Sequence, residues 1–218
     1  MKWPSQETSE MSNNFTGDAY RPRMIVVAGP NGSGKTMIIS ELLKHEWLSN
    51  CVHINPDEIA QNQFGDWNSP EAVIKAADQA RLMREDCLAR KDNFVFETVF
   101  SSPDKLDFLK RGVEAEYFIR LFFVATSSPS INASRVSRRV ANGGHAVPID
   151  KINSRYTKSI ANSVIGLSLV DRGYVFDNSI DNIKPRLLFR TVGGEILKKY
   201  AANPPDWATG IESSLKKN

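Results

Sequence analysis

Met24-Ile25-Val26-Val27-Ala28-Gly29-Pro30-Asn31-Gly32-Ser33-Gly34-Lys35-Thr36 is the stretch on which the fold of this 218-residue chain turns. Its first five residues are apolar, rich in β-branched side chains and stopped by glycine, which predicts a buried parallel strand feeding a tight turn. From Gly29 the spacing is Gly, four residues, Gly, Lys, Thr. Glycines let the backbone curl until successive N–H groups face one point, and a helix opening near Gly34 adds the positive end of its dipole. Residues Gly29, Pro30, Asn31, Gly32, Ser33 and Gly34 therefore read as a cradle for phosphate oxygens. Lys35 would bring a point charge to the β and γ phosphates, and Thr36 would coordinate Mg²⁺.

Outward from this unit, strand and helix signals alternate. A short strand at 51–54 leads into Asn55-Pro56-Asp57-Glu58, where Asn caps a helix, Pro takes its first position and Glu58 closes a capping box. Ser69 and Pro70 open a helix to about residue 90, with an apolar stripe at Val73, Ala76, Ala77, Ala80, Met83, Cys87 and Leu88. Strands follow at 94–96 and 117–125 with a helix over 103–110 between them, then helices over 129–142 and 149–169, then strands at 173–177 and 187–190. Such alternation implies right-handed crossovers and an α/β fold, a mostly parallel sheet flanked by helices. In that architecture ligands collect beyond the carboxyl ends of the strands, which gathers the residues after Gly29, Asn55, Glu97 and Asp177 on one edge. Residues 1–22 read as a flexible tail, 23–200 as the phosphate-binding domain and 201–218 as a C-terminal tail.

Bulk properties narrow the function classes. Twenty-eight basic residues against 25 acidic ones leave a net charge of +3, too even a balance to point to nucleic acid or a membrane surface. Cys51 and Cys87 have no zinc-site spacing and are too few for a disulfide framework, which favours a reducing, cytoplasmic setting. No stretch reaches the roughly 18 apolar residues of a membrane helix. Neither an N-K-x-D nor a D-x-x-G signature is present, which disfavours a GTPase, and Phe96-Glu97-Thr98 carries one carboxylate where assembly-type ATPases carry paired acids. An ATP-dependent small kinase fits best.

Phosphoryl transfer needs a carboxylate beside the attacking hydroxyl and cations that neutralise developing charge. Asp57, at a strand-to-helix junction, is the candidate base, although the same residue complements its helix dipole. Glu97 is placed to hold the acceptor, or to sit solvated at a strand end. Arg135, Arg138 and Arg139, then Gly143-Gly144-His145-Ala146-Val147-Pro148 and Arg155, form a helix, loop and helix. That unit could act as an arginine-bearing lid or be an ordinary basic face. His145 in the loop reads as a hydrogen-bonding support.

These blocks together resemble the zeta-toxin family of P-loop kinases, particularly its short bacterial zeta-like ATPases. The resemblance rests on the cradle, on Ile54-Asn55-Pro56-Asp57, on Phe96-Glu97-Thr98, and on Arg135-Val136, Arg139-Val140, Gly143-Gly144-His145, Val147-Pro148, Ile152, Arg155 and Asp177-Asn178-Ser179, over about residues 24–180. It implies a P-loop NTPase fold with a helical arginine-bearing lid, ATP and Mg²⁺ as ligands, Asp57 as base, Glu97 and Thr98 as acceptor contacts, and Arg135, Arg139 and Arg155 bracing the transferred phosphate. Family members are similar to UDP-N-acetylglucosamine kinases, which act as toxins until an antitoxin protein blocks them. A nucleoside, another metabolite or a polynucleotide end remains an alternative acceptor, and an ATP-responsive binding protein an alternative function.

Overall fold

In a computed structural model of the chain, residues 21–65, 69–144 and 146–215 are described, so the expected N-terminal tail up to residue 20 and His145 lie outside the described residues. Seven strands form one sheet: β1 (Arg23–Ala28), β2 (Val52–Ile54), β3 (Phe94–Thr98), β4 (Phe118–Ala125), β5 (Arg172–Asp177), β6 (Arg186–Val192) and β7 (Glu195–Lys199). Their spatial order is β2-β3-β1-β4-β5-β6-β7. The first five run parallel, and β6 and β7 add antiparallel at one edge.

The helices are α1 (Lys35–Leu42), α2 (Pro56–Phe64), α3 (Pro70–Arg90), α4 (Pro103–Glu114), α5 (Pro129–Ala141), α6 (Ile149–Leu169) and α7 (Asp206–Ser214). Alternation along β1 sends Met24, Val26 and Ala28 into a core shared with α2, α3, α4, α6 and α7. Ile25 and Val27 face the opposite core, built on Ile38, Ile39 and Leu42 of α1 and on Trp47. Both faces of the central strand are covered, which is why its sequence is an unbroken apolar run rather than an alternating one.

Three expectations change. The residues α3 buries are Ala72, Ala76, Ala80, Arg84, Cys87 and Leu88, so the contact stripe is rotated from the expected one and contains a charged residue. Small side chains every fourth position let this helix approach the sheet closely, and Arg84 interrupts them. Glu58 does not complete a capping box: Asn55 Oδ1 accepts from the Asp57 N–H at 3.0 Å, while the Glu58 carboxylate accepts from the Asn55 side-chain amide at 3.3 Å.

Lastly, the region 201–218 is not a tail throughout. Ala208 and Ile211 of α7, with Leu215 just after it, bury against the main core, and Trp207 sets its edge on Phe123 at 6.1 Å. Lys199 pairs there with Glu212. Before it, the pair Gly193-Gly194, both at positive φ, turns β6 into β7, the two-residue loop that matches sheet twist.

Parallel pairing aligns the carboxyl ends of the central strands, with Ala28 opposite Thr98 and Phe123. The chain leaves β1 at Gly29, where a Cβ would stand 2.1 Å from the Val124 carbonyl oxygen. No larger residue fits between the neighbouring strands at that exit.

Candidate active site

A cavity of about 540 Å³ opens at this edge, bordered by the cradle, the start of α2, the end of β3, Ala77 and Arg84 of α3, and the arginines of α5 and α6. The cradle is preorganised by neutral groups. Asn178, just after β5, donates its amide to the Ser33 carbonyl at 2.8 Å, and the buried Asn132 of α5 donates to the Asn31 carbonyl at 2.6 Å. The Gly29 N–H donates to the Thr98 carbonyl at 3.2 Å. Gly34 caps α1 at φ 97°, with Asn178 Nδ2 standing 2.1 Å from where a Cβ would be. Only glycine satisfies both constraints.

Three features of the cradle fit a bound polyphosphate. The N-terminus of α1 has no side-chain cap, which leaves its amides for an anion. Ser33 Oγ is buried with no partner among the described residues. Lys35 turns its ammonium back onto the Gly29 and Pro30 carbonyls at 3.0 and 3.1 Å, weak acceptors that phosphate oxygens would replace. Thr36, at the second position of α1, lines the same cavity and offers a hydroxyl oxygen suited to Mg²⁺.

Two carboxylates lie beside Lys35. Burial lowers the Lys35 pKa to about 8, with Glu97 and Asp57 opposing that fall and Arg139 and Arg155 adding to it. Burial raises the Glu97 pKa; Lys35 works against the rise while Asp57 and Glu58 reinforce it. The predicted base, acceptor carboxylate and cradle lysine therefore feel one another directly. Asn55 links the two acidic elements, since its amide also reaches Glu97 Oε1 at 3.2 Å. Thr98 is buried and its hydroxyl accepts the Phe100 N–H at 3.1 Å. Phe100 is held at φ 61°, its carbonyl taken by Asn162 of α6, so Thr98 supports the loop that walls the cavity.

Of the predicted arginines, Arg139 and Arg155 border the cavity and act on Lys35, and Arg155 donates to Asn31 Oδ1 at 3.3 Å. Arg135 lines the cavity as well, but its Nε and Nη2 are held by Asp181 at 2.8 and 2.7 Å, and Arg138 pairs with the same carboxylate. Gly143 takes positive φ just past α5, as expected of a helix terminator. Tyr156 and Ser159 of α6 donate to the Thr126 and Val99 carbonyls at 2.6 and 2.7 Å, so the helix carrying Arg155 is anchored to two strand ends.

Sequence reading missed the contributors without a motif: Arg84 and Lys105 in the cavity wall, Asn132 in the brace and Asp181 on the arginines. Arg84 had one signal, a charge at a core position in the fourfold series of α3. Among the described residues no helix is long and apolar enough to cross a membrane, and no group of three His, Cys, Asp or Glu could hold a metal.

The zeta toxin family model matches residues 6–164. An uncharacterized protein of Haemophilus influenzae is 27% identical over 134 residues, covering 62% of this chain and 92% of that protein. A structure from the PezAT chromosomal toxin-antitoxin system of Streptococcus pneumoniae superposes with a TM-score of 0.57 at 15% identity, over 85% of this chain and 78% of the other. The AvrRxo1-ORF1:AvrRxo1-ORF2 complex with sulphate ions gives 0.66 at 15% identity, over 95% and 67%. The same complex solved with ATP gives 0.63 at 15% identity, over 95% and 65%. At these identities the superpositions establish the shared fold, an α/β P-loop NTPase.

Proposed function

The chain belongs to the zeta toxin family and is a phosphotransferase, and from that premise we propose that it moves the γ-phosphate of ATP to a hydroxyl of a UDP-sugar such as UDP-N-acetylglucosamine. We propose further that it acts in the cytoplasm as the toxin of a toxin–antitoxin pair, held in check by a partner protein. The observation that carries the transfer reading is the meeting of Lys35, Asp57 and Glu97 in one cavity, with Arg139 and Arg155 at the same lysine.

In this reading the uncapped amides of α1 and Lys35 hold the donor phosphates, and Arg139 and Arg155 balance the charge that accumulates as the γ-phosphoryl group leaves. Asp57 accepts the hydroxyl proton of the acceptor as its oxygen forms the new bond to phosphorus. Glu97, fixed by the Asn55 amide, orients the acceptor beside it. Mg²⁺ on Thr36 would supply further charge neutralisation on the donor phosphates. Asn178 and Asn132 keep the cradle shaped before any ligand arrives, so little reorganisation is spent on binding.

Incubation with Mg²⁺–ATP and a panel of UDP-sugars, nucleosides, metabolites and polynucleotide ends, read by mass spectrometry, tests the acceptor. A mass gain of one phosphate on a UDP-sugar supports the reading. Transfer only to another class replaces the substrate, and ATP binding with no transfer to anything favours an ATP-responsive binding protein. Growth arrest on expression, abolished by Asp57→Asn, tests the toxin role.

A further inference from the structure

We propose that Glu58 and His53, which lie outside the cavity, are positioning residues for the transfer: they hold the Asn55 amide in the orientation that fixes Asp57 and Glu97 relative to each other. The inference rests on the transfer reading and adds what stands behind its two carboxylates.

Asn55 is the joint between them. It follows β2 directly and caps α2, with its Oδ1 accepting the Asp57 N–H at 3.0 Å. Its amide nitrogen donates to Glu97 Oε1 at 3.2 Å and to Glu58 Oε1 at 3.3 Å. One carbonyl oxygen and two N–H protons thus meet one donor and two carboxylates. A flipped amide would set its oxygen against both carboxylates and its protons against an N–H, so all three contacts resist the turn.

Two of these contacts lead into the transfer centre, and the third leads away from it. The residues of α2 that border the cavity are Pro56 and Asp57, not Glu58. The Glu58 side chain is 57% exposed, and a glutamate so placed gains little from a neutral amide once its rotamers are fixed. His53 supplies a second hold. It is carried by β2, in register with Val95 of β3, and its Nδ1 lies 3.7 Å from Glu58 Oε2, the oxygen that Asn55 does not use. At that distance the contact is electrostatic rather than a hydrogen bond. His53 Nε2 is buried with no partner among the described residues. A proton there would be a buried donor left unpaired, so the ring keeps its proton on Nδ1, facing the carboxylate.

The amide at position 55 answers to charge as well as to shape. Asn and Asp cap helices about equally well, so the start of α2 does not by itself call for Asn. The surroundings do. Lys35 of α1 favours the ionised form of Glu97, Asp57 and Glu58 of α2 oppose it, and Arg139 of α5 and Arg155 of α6 act on Lys35. A neutral donor between Glu58 and Glu97 lets these carboxylates share one corner, and a further carboxylate in its place would drive Glu97 away. A displacement of about 1 Å at such a centre costs transfer on the order of 10²-fold.

The first measurement needs no substrate. In ¹⁵N–¹H spectra of the full chain, the Asn55 side-chain amide is identified by its disappearance in Asn55→Asp. Its protons are expected to exchange with water about tenfold more slowly than those of exposed asparagines. Glu58→Gln keeps an oxygen acceptor without the charge and should preserve that protection. Glu58→Ala should remove most of it, and His53→Leu part of it.

The second measurement is the initial rate with Mg²⁺–ATP and UDP-N-acetylglucosamine, or whichever acceptor the panel returns. Glu58→Ala is expected to lower kcat about tenfold with the KM for Mg²⁺–ATP in place, and Glu58→Gln to restore most of the loss. A role confined to the α2 dipole would make the two variants equally poor. His53→Leu should cost severalfold in the parent and nothing further beside Glu58→Ala. Asn55→Asp should lose about 10²-fold in kcat at an unchanged melting temperature.

An Asn55 amide indifferent to Glu58→Ala, or a kcat equal in the parent and Glu58→Ala, overturns the proposal while leaving the kinase intact. A His53→Leu loss that persists beside Glu58→Ala removes His53 from the brace. Amide protection that depends on Glu58, in a protein that phosphorylates no acceptor, supports the brace and defeats the transfer reading.

Discussion

Replacing Lys35 by Met should make the nucleotide-free protein more stable while destroying its use for ATP. Folding takes the ammonium from water into the cradle, and its pKa falls from 10.5 to about 8. At about 1.4 kcal/mol per pH unit, the charged lysine costs the folded state on the order of 3 kcal/mol. The two bonds to the Gly29 and Pro30 carbonyls return roughly 1–2 kcal/mol. Lys35→Met is therefore expected to gain about 1–2 kcal/mol at pH 7, or roughly 2–8 °C in melting temperature for a chain of this size.

The pH dependence carries the sign. Below pH 8 the lysine is charged in both states and the folded form bears the whole cost. Between pH 8 and 10.5 the folded protein loses its proton while the unfolded chain keeps it, so the parent gains stability and the advantage of Lys35→Met disappears. Thermal melts from pH 6.5 to 10.5 without nucleotide, and again with Mg²⁺–ATP, measure both effects. A lower melting temperature for Lys35→Met at pH 7, or a difference independent of pH, would refute the reasoning.

The same pKa predicts that Mg²⁺–ATP binding at pH 8 takes up a fraction of a proton and that affinity falls as pH rises further, which calorimetry in buffers of different ionisation enthalpy detects. Because Glu97 is the leading charge that holds Lys35 protonated, Glu97→Gln should move that fall to lower pH; an unmoved profile removes Glu97 from the lysine's surroundings. Asp57→Asn should retain Mg²⁺–ATP affinity and lose about 10²–10⁴-fold in kcat, and a variant with the parent's rate disqualifies Asp57 as base. Gly34→Ala, strained at φ 97° and driven into the Asn178 amide, should lose nucleotide affinity and destabilise the fold by roughly 2 kcal/mol or more. Equilibrium denaturation checks the second part.

Where local chemistry dictates conformation, the sequence was readable. The Gly29–Thr36 spacing, the Asn55-Pro56 and Ser69-Pro70 helix starts and Gly143 after α5 all act within a few residues, and the structure places each where its chemistry requires. Three kinds of feature escaped. β7 has an exposed, charged face and declares itself only through Gly193-Gly194. The core face of α7 amounts to Ala208 and Ile211, with Leu215 just beyond, too thin a stripe to separate from a polar tail. Asn132 and Asp181 matter through contacts 101 and 46 residues away in the chain, with Asn31 and Arg135, and spacing carries no trace of such pairings.

Those long-range contacts also explain how a site so rich in charge can be rigid. Had the cradle been braced by ion pairs, an incoming polyphosphate would compete with the brace for the same cations, and binding would loosen what it needs. Instead the Asn31 and Ser33 carbonyls are tied to the amides of Asn132 and Asn178, and the Gly29 N–H to the Thr98 carbonyl. None of these bonds changes strength greatly when a highly charged ligand arrives, because none carries a net charge. Two arginines carry charge into this frame: Arg155 donates to Asn31 Oδ1, and Arg135 is held by Asp181 while it lines the cavity. If that pair must open for the arginine to reach the donor, Asp181→Asn should lower the apparent KM for ATP. If the carboxylate aims the arginine from behind, the same substitution should lower kcat and leave KM in place.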